Sequence, residues 1–164
     1  MASGNTLCVF TAQANQPPAA DYATPDVRNS HPVLDFADGA DESAIFGGVL
    51  PRHYAGGGLT VTIAWMATSA TTGDVVWNAD IERHSDDDVD LDADSFAGAN
   101  AATGTTASAS GEVQYTSITF TDGADMDSLA VGESFRLKIT RDADNVSDTM
   151  AGDAEILSVE IRET

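Results

Sequence analysis

Along most of the chain, apolar and polar residues alternate with a period of two, the spacing that sends successive side chains to opposite faces of a β-strand. In "GLTVTIAWMAT" (58–68), Leu59, Val61, Ile63, Trp65 and Ala67 share one face, while Thr60, Thr62, Ala64, Met66 and Thr68 share the other. "VVWNADIERH" (75–84) repeats the pattern, with Val75, Trp77, Ala79 and Ile81 set against Asn78, Asp80, Glu82 and His84. The intervening "SATTGD" reads as a turn, so the two segments are expected to form a hairpin. "SFRLKITR" (134–141) alternates Phe135, Leu137 and Ile139 with Arg136, Lys138 and Thr140. "AEILSVEIRE" (154–163) alternates Leu157, Val159 and Ile161 with Ser158, Glu160 and Arg162. In "VQYTSITF" (113–120) the apolar phase moves from Val113 and Tyr115 to Ile118 and Phe120, which predicts a bulge near Thr116 and Ser117.

Shorter strands are expected at "TLCVF" (6–10), "PVLDF" (32–36) and "AIFGGVL" (44–50), for a total of eight. The tetrapeptide "DGAD" occurs at 38–41 and again at 122–125, where Asp and Gly favour tight reversals. Only "DADSFAGANAA" has a helical look, and "ATGTTASASG" (102–111) reads as a small-residue loop, flexible or ordered by a neighbour. Eight strands with almost no helical periodicity predict an all-β fold, an antiparallel eight-stranded jelly-roll β-sandwich. The sandwich is expected over residues 31–164. Residues 1–30, with "NQPPAADYATPDVRNSHP", are expected as an N-terminal strand followed by an extended Pro/Ala-rich arm over a neighbouring surface.

Charge narrows the possible partners. The 164 residues carry 27 acids, 20 of them Asp, against six Arg and one Lys, for a net charge of -20. Nucleic-acid affinity rests on basic side chains displacing counterions, so nucleic acid and anionic membrane surfaces are not expected partners. A chain rich in short acids stays dispersed where salt screens its self-repulsion, which suggests a saline, marine setting. The lone Cys8 excludes an internal disulfide. No basic segment leads into a long apolar run and no stretch approaches a membrane span, so the expectation is a soluble, unprocessed chain. "NVS" at Asn145 matches a glycosylation acceptor only formally.

Several segments are familiar in combination. "VLPRHYAGGGLTVTIAWMATSATTGDVVWNADIER", the acidic "DDDVDLDADSFA" and the ending "SFRLKITRDADNVSDTMAGDAEILSVEIRE" resemble a group of uncharacterised virion structural proteins of tailed bacteriophages. The resemblance runs over roughly residues 30 to 163 and is most distinctive in the ending. It implies a jelly-roll component of the particle, of head decoration (cement) or tail accessory type. It supplies no catalytic residue.

The stretch "HSDDDVDLDADSF" (84–96) is the strongest candidate for metal chemistry. Counted from Asp86, the acids of an EF-hand loop fit at Asp86, Asp88 and Asp90, but Leu91 stands in place of the Gly and Ala97 in place of the Glu. Asp88, Asp90, Asp92 and Asp94 alternate with Val89, Leu91 and Ala93, so in an extended chain they would lie about 6.6 Å apart along one edge. Calcium at Asp86, Asp88 and Asp90 is therefore weighed against a solvated acidic rim, and the rim is preferred. His31, His53 and His84 show no metal-ligand spacing, no nucleophile motif is present, and enzyme activity and cofactors are not expected.

Trp65 and Trp77 fall on apolar phases and are expected in the core, leaving Tyr22, Tyr54 and Tyr115 as candidates for stacking on sugars. Four of the seven bases, Arg136, Lys138, Arg141 and Arg162, fall on the last two predicted strands. They read either as a salt-bridged outer face or as an interface strip that meets an acidic surface of a sister subunit or shell protein. The leading expectation is a homotrimer on the capsid exterior, bound to the major capsid protein or another virion protein. The rival is a glycan- or host-binding module of a tail fibre or tail accessory protein.

Overall fold

The computed structural model describes residues 4–164. Its strands are β1 (Thr6–Thr11), β2 (Thr24–Arg28), β3 (His31–Phe36), β4 (Glu42–Val49), β5 (Leu59–Ala67), β6 (Asp74–His84), β7 (Asn100–Thr105), β8 (Gln114–Phe120), β9 (Ser134–Arg141) and β10 (Ala154–Glu163). They form two antiparallel sheets. The larger runs β2-β3-β10-β5-β8 with β1 also on β10, and the smaller runs β4-β9-β6-β7. β10 is the hinge of the larger sheet: β5 follows it along one side, while β3 pairs with its first residues and β1 with its last on the other.

The inward faces of both sheets interdigitate in one core that includes Phe36, Phe46, Leu59, Val61, Ile63, Trp65, Trp77, Ile81, Phe120, Phe135, Leu137, Ile139 and Ile161. Trp65 and Trp77 meet edge to face at 5.9 Å between ring centroids, and Phe36 meets Trp77 at 5.2 Å. The two tryptophans thus join the sheets at the centre, as their apolar phase predicts.

That same contact corrects the expected hairpin. β5 belongs to the larger sheet and β6 to the smaller, so the connection at 68–73 crosses between layers. At its end Gly73 has φ +100°, and a Cβ there would lie 2.7 Å from the Met150 Cα. The position requires glycine on both counts.

The bulge predicted near Thr116 and Ser117 is absent, since β8 pairs with β5 in unbroken register from Gln114 to Phe120. Thr116, Ile118 and Phe120 all point inward. Thr116 is tolerated there because its Oγ1 accepts the Trp65 Nε1–H at 2.9 Å. Tyr115 then lies on the outer face. The bulge sits instead in β10, between Ile156 and Ser158. It lets Ile156 and Val159, three residues apart, both face the core and leaves Leu157, expected inside, on the outer phase.

Two strands escape the periodicity. β2 lies in the expected arm, and it pairs with β3 along its whole length, so this segment belongs to the sandwich. Residues 15–16 bond the free edge of β4, with the Ile45 N–H donating to Asn15 Oδ1 and Gln16 N–H to the Ile45 carbonyl. The first three residues of that arm lie outside the described residues. β7 occupies the start of the small-residue segment, where Gly104 closes over Trp65: a Cβ would lie 2.2 Å from Thr116 Oγ1 and 2.9 Å from Trp65 Cζ2. The lack of side chains is what lets this edge approach. "DADSFAGANAA" is not helical; it turns at Asp90–Asp94 and then runs back to β6, where Ala97 N–H donates to the Ile81 carbonyl.

Candidate functional site

The acids are unevenly placed. Residues 54–73 and 113–121 contain no Asp, Glu, Lys, Arg or His. The fold brings these two neutral segments together, because β5 and β8 are neighbours and β8 closes that side of the larger sheet. On their outer phase lie Thr62, Ala64 and Met66 of β5, with Tyr115, Ser117 and Thr119 of β8. Tyr115 stands opposite Ala64, and Thr62 and Ser117 share a hydroxyl hydrogen bond of 2.9 Å. Tyr115 is 73% exposed. Beside it opens a groove of about 280 Å³ lined by Met66, Val113 and Leu157, with Arg28, Asn29 and His31 at its rim.

Arg28 is held in place at that rim. Its guanidinium pairs with the buried Glu155 at 2.5 Å and donates to the Ala67 carbonyl at 3.1 Å. The groove therefore has an apolar floor and a fixed polar edge, the composition of a small-ligand site, and Tyr115 stands two residues along the chain from Val113 of its lining. Of the other tyrosines, Tyr54 is buried with its hydroxyl donating to the Gly57 carbonyl, while Tyr22 is half exposed on the opposite connection, bridged to Ser43.

The four singled-out bases do not form one strip. Arg136 and Lys138 share the outer phase of β9, where each pairs with the residue directly opposite on β6. Arg136 holds Glu82 through Nε at 3.1 Å and through its terminal nitrogen, and Lys138 Nζ lies 3.3 Å from Asp80 Oδ2. Both cations lie against the Phe96 ring, at 5.0 and 4.7 Å from its centroid. Phe96 returns from the β6–β7 connection, and Glu82 and Asp80 are 1% and 7% exposed. Burial pushes the Asp80 carboxyl above its ordinary range, and Lys138 pulls it part of the way back.

Arg141 shares the inward phase of Phe135, Leu137 and Ile139 and is fully buried, which removes it from any interface. Its guanidinium makes a forked pair with Asp148, at 3.1 and 2.8 Å, and donates to the carbonyls of Phe36, Met150 and Gly152. It is the pin of the 142–153 connection. Arg162 is exposed on β10, in the other sheet.

The acidic stretch does not run as an extended rim. It turns at 86–88 and again at 91–93, with Asp87 at φ 54°. Asp88 pairs with Arg83 at 3.0 Å, and Asp90 Oδ1 accepts the Asp92 N–H at 3.1 Å. Asp86, Asp88 and Asp90 are not gathered into a ligand group. The end of the stretch behaves differently, because Asp94 folds back against Glu82 and His84 on β6. Sequence reading missed that grouping, although Glu82 and His84 were already placed on one strand face. His31 and His53 are exposed and stand apart from it.

Solved structures with this architecture exist. The CBM22-1 xylan-binding domain of Xyn10C from Paenibacillus barcinonensis matches with a TM-score of 0.54 and 12% identity, over 98% of this chain and 96% of that one. The CBM22-2 xylan-binding domain of the same Xyn10C gives 0.51 and 14% identity, over 92% of each chain. A chain of infectious bursal disease virus, Gx strain, reaches 0.42 at 11% identity, over 98% of this chain and 33% of that one, a likeness too slight to carry an argument. At these identities the first two show the fold alone, a jelly-roll β-sandwich. No family model and no curated protein sequence matches the chain, so the bacteriophage resemblance gains no support from sequence families.

Proposed function

We propose that this protein is a non-enzymatic, glycan-binding jelly-roll module that engages a neutral polysaccharide through the β5–β8 face and its groove. The observation that carries the reading is the exposed Tyr115 on two paired strands that contain no charged residue, in a molecule of net charge -20. Sugar rings present C–H faces that pack on an aromatic side chain, and their hydroxyls seek fixed polar partners. Tyr115 offers the first, and Arg28, Asn29, His31 and the Thr62 and Ser117 hydroxyls offer the second. The xylan-binding character of the two neighbours of the same fold supports the choice of ligand class. A glycan array probed with the purified chain tests it. Selective signal on neutral β-linked glycans is expected, and a blank array or signal confined to charged glycans would remove the reading.

The sequence resemblance favours a second reading, in which the same neutral face docks on a virion protein. The chain is then a decoration of the capsid exterior, arranged as a trimer on the major capsid protein, with its acids turned to saline solvent. An uncharged patch is where so acidic a subunit meets another surface with least repulsion. A cryo-EM map of the parent particle separates the two: many copies over the head support decoration, whereas a few at the tail support adhesion.

A further inference from the structure

We propose that Glu82, His84 and Asp94 form a binding site for one divalent transition-metal ion of the zinc class. Glu82 and His84 are two residues apart on β6, so both project from the outer face of the smaller sheet. The β6–β7 connection brings Asp94 to them, and one ligand atom from each of the three lies within 4.8 Å of the others.

Each donor is already prepared. Asp94 Oδ2 is sealed from solvent and has no hydrogen-bond partner among the described residues, while Oδ1 accepts the Ser95 N–H at 2.9 Å. A buried carboxylate oxygen without a donor is costly unless a cation faces it. Glu82 is 1% exposed and gives Oε2 to Arg136, which leaves Oε1 directed at His84 Nε2, 3.3 Å away. His84 Nδ1 lies 3.3 Å from Ser134 Oγ. With Nδ1–H donating to that hydroxyl, the Nε2 lone pair faces the two carboxylates, the arrangement in which an outer hydrogen bond orients a ligating imidazole.

The donor set selects the ion. One imidazole nitrogen with two carboxylates suits zinc, cobalt or manganese, whereas calcium and magnesium take oxygen ligands, calcium in larger number. Three protein ligands leave a position for water. Two carboxylates and the Arg136 guanidinium sum to one negative charge, so the group attracts a divalent cation and carries one positive charge once it is bound, in a chain of net charge -20. The loop that supplies Asp94 is tied at its base by the Arg83–Asp88 pair and the Ala97–Ile81 hydrogen bond.

The full chain, stripped with EDTA and dialysed, is titrated with zinc chloride by calorimetry at pH 7.5, and separately with cobalt(II) followed by its visible absorption. One equivalent of each is expected, with cobalt displaced by zinc and not by excess calcium. Asp94→Asn and His84→Gln should each weaken zinc binding by roughly tenfold or more, with circular dichroism and melting showing that both variants are folded. Asp144→Asn, in the exposed group Asp41, Asp142 and Asp144, should leave the titration unchanged. No uptake would overturn the proposal. Binding undiminished in both site variants, lost in Asp144→Asn, or equalled by calcium would also overturn it. The site lies on the opposite sheet from the Tyr115 groove, so its outcome is independent of glycan binding.

Discussion

Asp35 should be a carboxylate that the fold holds at a loss. It lies on the outer phase of β3, directly opposite Glu155 of β10 and Thr24 of β2, and one of its oxygens is buried without a partner. Burial, followed by the nearby Asp153, Glu155, Asp26 and Glu42, raises its pKa from 3.8 to about 6. At about 1.36 kcal/mol per unit this is equivalent to about 3 kcal/mol. The side chain is partly exposed, so screening reduces the effect to about 1.5 kcal/mol. The sign follows from proton binding. Between the unfolded and folded pKa values the native state holds a proton that the unfolded chain has released, so stability falls as pH rises through this window. Above about 6 the full penalty applies. Asp35→Asn removes the charge and keeps the shape, so it should raise the melting temperature at pH 7.5 by about 3–6 °C. The gain should shrink as pH falls from about 6 towards 4 and vanish below. Melting curves of both proteins across that range are the assay. A variant that melts lower at pH 7.5, or a difference that does not change with pH, would refute the reasoning.

Three further outcomes are expected. Arg141→Met removes the buried partner of Asp148 and should cost about 3–5 kcal/mol in chemical denaturation, whereas an interface arginine would leave the isolated chain unchanged. Gly104→Ala forces β7 away from Trp65 and Thr116 and should cost about 1–3 kcal/mol, read from the same denaturation curves. With a net charge of -20, the melting temperature should rise between low salt and about 0.5 M NaCl as repulsion is screened; a flat or falling curve would count against a saline setting.

The sequence made the sandwich legible because alternation reports which side chains share a face. It does not report which sheet a strand joins, and so 58–68 and 75–84, correctly read as strands, were paired with each other when they pack across the core. Phase was misread where a polar residue pointed inward. Thr116 serves Trp65 from inside, and counting it as outward created a bulge in β8, while the adjacent Ile156 and Leu157 hid the bulge in β10. β7 was invisible because the close approach to Trp65 selects Gly and Ala, the residues that weaken any pattern. For the charged groups, the signal for Arg141 was available in its phase with Phe135, Leu137 and Ile139. Glu82 and His84 were placed on one face, but their partner Asp94 is brought by a loop, and no fixed-spacing template contains that group. The neutrality of the β5–β8 face needed both the gaps between acids and the pairing that unites them.

Whether the Tyr115 face binds a neutral glycan is decided by a calorimetric titration of wild type and Tyr115→Ala with soluble xylan. Measurable binding by the wild type is expected, with a loss of about tenfold or more, about 1.4 kcal/mol, in a variant that melts at the same temperature. Equal affinity in the two proteins, or heat of dilution alone from the wild type, would contradict it.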